Sequence, residues 1–99
     1  MPKIKSEPYD SADYLNTPEA ISAYLEDIFE TENPVLISHA LGTVARAKGM
    51  AEVARKTGLS RESLYKALSA DGNPEFGTIL KVMKALGLRL SVGSTPARA

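Results

Sequence analysis

Apolar residues recur at intervals of three and four along most of this chain, with polar residues between them. That spacing is the mark of amphipathic helices. The first stripe is Ala20, Ile21, Tyr24, Leu25, Ile28 and Phe29, with Glu26, Asp27, Glu30 and Glu32 lying off it. Thr17-Pro18-Glu19 supplies its start. The hydroxyl can accept from a first-turn N–H, the proline sits where no donor is needed, and the acid meets the positive end of the helix dipole. Asn33-Pro34 repeats the signal, and Leu36, Ile37, Ala40, Leu41, Val44 and Ala45 form a second apolar face that Gly49 ends.

A third helix is expected from about Met50 to Thr57, closed by Gly58, and a fourth, capped by Ser60, from Arg61 to about Ser69. After the Asp71-Gly72-Asn73-Pro74 turn, a fifth should run from roughly Phe76 to Leu86. Its buried set would be Ile79, Leu80, Val82, Met83 and Leu86, and Gly87 would end it. Leu88-Arg89-Leu90-Ser91-Val92 alternates apolar and polar, which reads as a short strand. A lone strand needs a ladder partner, either the N-terminal arm or the same strand of a second subunit. Residues 1–16, with Pro2, Pro8 and no helical period, read as an extended acidic arm, partly ordered at Tyr9, Tyr14 and Leu15. Residues 17–92 form the helical domain and 93–99 a flexible tail. The expected fold is all-α, about five helices with a short C-terminal strand.

Composition narrows the function. A chain of 99 residues with 43% hydrophobic content suits one small domain with a modest core, to which dimerisation would add. Cysteine is absent, which rules out disulfides and thiolate chemistry and suits a cytoplasmic location. No apolar run approaches a membrane span, and Met1 to Pro8 lacks the apolar stretch of a signal peptide. His39 is the one histidine, so no site can use two imidazoles. Ser60 and Ser63 have no histidine base in a plausible motif, and Asp10 and Asp13 have no partner that would make them an acid pair. Without a catalytic constellation, no enzyme activity, metal, cofactor or small-molecule substrate is expected.

The zero net charge hides a division. Residues 1–33 hold two lysines against eight carboxylates, a net of −6, whereas residues 34–99 hold ten cations against four carboxylates, a net of +6. The basic part suits phosphate. The acidic part repels phosphate and suits a basic protein, although solvated helix faces carry such charges too.

The informative segment runs from Met50 to Leu68 and has the spacing of a helix-turn-helix. Ala54 is small where two helices would cross, Gly58 sits at the tight turn, and Val53, Leu59, Leu64 and Ala67 or Leu68 are apolar where the helices would meet. Ser60 can cap the second helix. Arg61, Glu62, Tyr65 and Lys66 then point away from Leu64 and Leu68, with Ser63 at the edge of that face. The start of such a helix enters the DNA major groove. Arg61 can donate two bonds to guanine, and Lys66 can contact guanine or phosphate. Tyr65 can touch a thymine methyl or a phosphate, and Glu62 can accept from a cytosine amine or only orient Arg61. Arg46, Lys48, Arg55 and Lys56 are candidate phosphate contacts. Gly77 and Thr78 open the fifth helix, whose N–H groups can grip another phosphate.

These segments together resemble the Xre/Cro-like, lambda-repressor-like helix-turn-helix family, and within it the addiction-module antidotes of HigA-like type. The likeness covers Tyr9 to Val92. It is carried by Tyr9-Asp10, Tyr14-Leu15, Pro18-Glu19, Ala23-Tyr24-Leu25, the run from Ala40 to Met50, Thr57 to Ser69, Gly72-Asn73-Pro74 and Thr78 to Leu88. The resemblance implies an antitoxin of a type II toxin–antitoxin module, encoded beside a small, basic, RelE-like toxin that acts on RNA at the ribosome. It implies binding and neutralisation of that toxin, and repression of the shared operon by a homodimer on double-stranded operator DNA. Ser60, Arg61, Glu62, Tyr65 and Lys66 would form its recognition face. The charge division adds an expectation that the acidic arm and first helix meet the toxin. Two other readings fit the residues: a stand-alone, phage-repressor-like regulator with no toxin, and an antidote that has lost DNA binding.

Overall fold

Five helices follow one another along the chain: α1 (Pro18–Phe29), α2 (Pro34–Lys48), α3 (Met50–Thr57), α4 (Arg61–Ala67) and α5 (Phe76–Ala85). The computed structural model describes residues 15–69 and 71–96. Side-chain caps fix three of the starts. Thr17 Oγ1 accepts from the Ala20 N–H at 3.1 Å, and Asn33 Oδ1 accepts from the N–H groups of Val35 and Leu36. Ser60 Oγ accepts from the Ser63 N–H at 3.0 Å. Each such cap contributes about 1 kcal/mol. Gly49 and Gly87, at the ends of α2 and α5, have positive φ.

One apolar core joins the helices. It takes Ile21 and Leu25 from α1, Leu41 and Val44 from α2, Val53 from α3, Leu64 from α4 and Val82 from α5. Met50, Met83, Leu68 and Leu86 complete it, and Leu15, just before α1, is buried with them. α3 occupies the middle, packed against α2, α4 and α5, and α2 also touches α4 and α5. α1 packs chiefly on α2. No helix among the described residues is long and apolar enough to cross a membrane.

Several expectations change. No strand forms among the described residues, and 88–92 has no regular structure. The Leu88 N–H bonds to the Met83 carbonyl, but residues 89–96 make no backbone hydrogen bond with any described residue. Alternation marks a segment able to pair, and nothing among the described residues gives it a ladder partner. α4 stops at Ala67 and α5 at Ala85, each slightly short of the expected end, where Ser69 and Leu86 bond back into turns. Leu36 and Leu80 were expected on buried faces, yet they are 45% and 42% exposed. The adjacent Ile37 and Ile79 take the inward position on each stripe and leave these two in solvent. Ile37, Ile79, Tyr24, Ile28 and Phe29 are half-buried against the core. Tyr9, Tyr14 and most of the expected arm lie outside the described residues, as does the end of the tail.

Candidate nucleic-acid interface

The unit of interest is α3, a three-residue turn and α4. Thr57 ties off the end of α3: its hydroxyl donates to the Val53 carbonyl at 2.9 Å and accepts from the Leu59 N–H at 3.2 Å. Gly58 follows with φ +78°, a left-handed conformation that glycine adopts without a Cβ penalty. Its N–H reaches the Ala54 carbonyl at 2.9 Å. Leu59 tucks half-buried against the core, and the Ser60 cap starts α4. Val53 on α3 and Leu64 on α4 are both buried, so the two helices are held by the same core.

That anchoring decides which side of α4 faces water. Leu64 is 0% exposed and Leu68 2%, while Arg61, Glu62, Ser63, Tyr65 and Lys66 are all exposed. Ser60 is exposed as well, so the expected recognition face of Ser60, Arg61, Glu62, Tyr65 and Lys66 lies open to solvent, with Ser63 beside it. The Ser60 and Ser63 hydroxyls bond each other at 2.9 Å, so the cap is doubly held. Glu62 makes no ion pair or hydrogen bond with Arg61 here. Lys66 and Ser63 also border an open cleft of about 440 Å³ whose far side is lined by Ser69 and by Asp71 to Pro74.

The candidate phosphate contacts do not form one cluster. Arg46 Nη2 donates to Thr43 Oγ1 at 3.3 Å, and the guanidinium lies over Gly42 beside Leu68, at the far end of α4. Lys48 is exposed at the end of α2. Arg55 and Lys56 share the Glu52 carboxylate, at 2.6 Å and 3.5 Å. The Arg55 hydrogen bond holds the Glu52 carboxyl below its ordinary range against an opposing desolvation, helped by the Arg55 and Lys56 charges. Lys56 also shares an open cleft with Lys81 and Lys84, two cations that periodicity did not single out. At the start of α5, Gly77 is exposed and Thr78 half-buried. No side chain caps those N–H groups, but the Glu75 carboxylate stands at the same end and opposes a phosphate there.

Two glycines matter in a way that spacing did not reveal. A Cβ on Gly72 would fall 2.3 Å from the Ala67 carbonyl oxygen and 2.5 Å from that of Lys66. A Cβ on Gly42 would fall 2.7 Å from the Leu68 carbonyl oxygen. Both hold backbone tight against the end of α4. A glycine inside a helix costs about 1 kcal/mol relative to alanine, and that cost was the available signal at Gly42.

The opposite charge lies on α1 and the turn after it. Glu19, Glu26, Asp27, Glu30 and Glu32 are exposed, and residues 15–33 contain no lysine, arginine or histidine. His39 is exposed, and no group of three or more potential metal ligands occurs among the described residues.

Comparison with known proteins adds a family. The family model described as "Probable addiction module antidote protein" matches residues 5–94. A protein of Haemophilus influenzae, described as uncharacterized, is 51% identical over 84 residues, which cover 85% of this chain and 87% of the relative. No solved structure matches the chain. With nearly its whole length matched, the chain belongs to the family of probable addiction module antidote proteins.

Proposed function

We propose that this protein is a HigA-like antitoxin that binds and neutralises a small basic RelE-like toxin, and that a homodimer represses its own operon through α4. Family membership supports the antidote role. The observation that carries the DNA-binding half is α4 itself: a capped helix with Leu64 and Leu68 locked inside and Arg61, Tyr65 and Lys66 outside. On this reading α3, the Gly58 turn and α4 are a helix-turn-helix of lambda-repressor-like type. Arg61 reads guanine, Lys66 contacts guanine or phosphate, Tyr65 a thymine methyl or phosphate, and Glu62 accepts from a cytosine amine. Ser60 and Ser63 position the helix start. Arg46, Lys48, Arg55, Lys56 and Thr78 lie nearer the backbone. Two copies place their α4 helices in successive major grooves, roughly 34 Å apart. Residues 1–16 act as an arm, 17–92 as the binding domain and 93–99 as a tail, and the protein works in the cytoplasm.

The acidic face of α1 supports the second half. Five carboxylates on a stretch, residues 15–33, that contains no lysine, arginine or histidine repel phosphate and raise the encounter rate with a basic protein. The test is to express the adjacent small reading frame alone and then with this chain, and to measure binding of the purified chain to its own promoter. Growth arrest that the chain relieves, with co-purification and a promoter shift, is the expected result. A promoter shift without arrest would overturn the antitoxin half and leave a stand-alone regulator. Rescue without any shift would overturn the DNA-binding half.

A further inference from the structure

We propose that the groove between α1 and residues 87–91 is where the toxin docks, and that it takes a basic, extended stretch of that toxin as an added strand. The proposal rests on the antitoxin reading and names the surface and the mode of its protein contact.

Two adjoining clefts run along α1 from Pro18 to Phe29, and Ser22, Glu26, Leu88 and Arg89 line both, so they form one groove. Its lining is part polar and part apolar: Phe29 and Leu88 are half-buried and accessible, above the buried Leu25 and Met83. One wall is α1. The other is the main chain from Gly87 to Ser91. Residues 89–92 are exposed, with Leu90 at 40% and Val92 at 98%, and their backbone groups make no backbone hydrogen bond with any described residue. A row of N–H and C=O groups that no described residue pairs, beside a groove with accessible apolar side chains, is what an added strand satisfies. The Leu88, Leu90, Val92 alternation gives that edge the two-residue period an incoming strand would match.

Charge selects the occupant. Glu19 and Glu26 line the groove, Glu30 lies one turn beyond Glu26, and among the described residues Arg89 is the one cation lining it. A segment alternating apolar residues with lysine or arginine can seat its apolar side chains on the half-buried Phe29 and Leu88 while its cations meet the carboxylates. Nucleic acid is repelled by the same carboxylates. A second copy of this chain fits less well. Its 88–92 segment offers a single cation, Arg89, and it brings another acidic α1 with it.

The test uses the full chain and, as probe, the purified small protein encoded by the adjacent reading frame. Ser22→Arg puts a bulky cation in the groove at an exposed helix position. Ser91→Pro removes one main-chain donor from the exposed segment. Each should weaken binding of the probe by about tenfold or more, the scale of one lost hydrogen bond with its packing. Thermal melting and promoter binding should stay as in the parent, which shows the fold is intact. If both variants bind the probe as the parent does, the groove is not the docking site. If Ser91→Pro turns a dimer into a monomer without changing affinity for the probe, the segment pairs between copies and the proposal falls. If the parent chain neither binds the probe nor relieves its arrest, the antitoxin reading falls with it, which separates the two failures.

Discussion

The α1 face and the α4 face rest on the same core but are held to it differently. α1 packs chiefly on α2 and buries Ile21 and Leu25. α4 is shorter, yet it is pinned by α2 and α3, buries Leu64 and Leu68, and is clamped at its far end by the close backbone approaches at Gly42 and Gly72. Their chemistry differs in the same sense. α1 and its following turn carry five carboxylates with no cation, a field that acts at a distance and tolerates small shifts. α4 carries Arg61, Tyr65 and Lys66, whose proposed contacts with base edges depend on hydrogen-bond geometry. Rigid support is concentrated under the face that would need it.

The largest effects should come from removing that support. Leu64→Ala leaves a cavity at a fully buried position and should cost about 2–5 kcal/mol in denaturant unfolding. Gly72→Ala forces backbone apart and should cost about 1–3 kcal/mol. In variants that remain folded, promoter binding should fall further than toxin binding. Equal losses would mean that the two faces depend on the same rigidity, and the contrast drawn above would fail.

Much of this architecture was legible from residue spacing, and the exceptions have physical reasons. The helix starts could be read because Thr17-Pro18, Asn33-Pro34 and Ser60 are local signals that need no tertiary context. The exposed side of α4 followed from Leu64 and Leu68. The exposure of Leu36 and Leu80 did not follow, because a helical stripe says which side is apolar but not how wide the neighbour is. The 88–92 segment alternates as a strand does, yet strand formation depends on a partner that the sequence of one chain does not name. The Lys56, Lys81 and Lys84 cleft was hidden because it joins α3 to α5 across 25 residues of sequence. The Glu52 pairing with Arg55 and Lys56 was readable at i,i+3 and i,i+4 spacing, but it bears on two residues counted as free phosphate contacts.

Single-face substitutions should separate the two functions more cleanly. Arg61→Ala should cost about 1–3 kcal/mol on the operator and relax preference at one base position, with toxin affinity unchanged. Parent-like operator affinity and preference would mean the recognition face lies elsewhere. Reversing Glu26, Asp27 and Glu30 to lysine should lower the toxin association rate by about tenfold and flatten its salt dependence, while promoter binding holds or improves. Stopped-flow mixing at two salt concentrations reads this directly. An unchanged rate would remove the role assigned to the acidic face.

The smallest effect lies on the basic side, at Glu52. Its carboxylate holds Arg55 and Lys56 and is exposed, so the pairing adds little to stability and is screened by salt. Its consequence should appear in binding. Glu52→Gln frees two cations on α3, so promoter affinity should rise modestly and the salt dependence should steepen by about one to two units if both then reach phosphate. The pH dependence follows from the direction of the Glu52 shift. A carboxyl lowered in the folded state lends its stability above its ordinary range and loses it as pH falls through the lowered value. In the parent, acidification should therefore release Arg55 and Lys56 and narrow the difference from Glu52→Gln, whereas near neutral pH the two should keep a constant offset. A Glu52→Gln variant with the parent's salt slope at neutral pH would show that Arg55 and Lys56 do not face nucleic acid, leaving the α4 face to carry the contact without them.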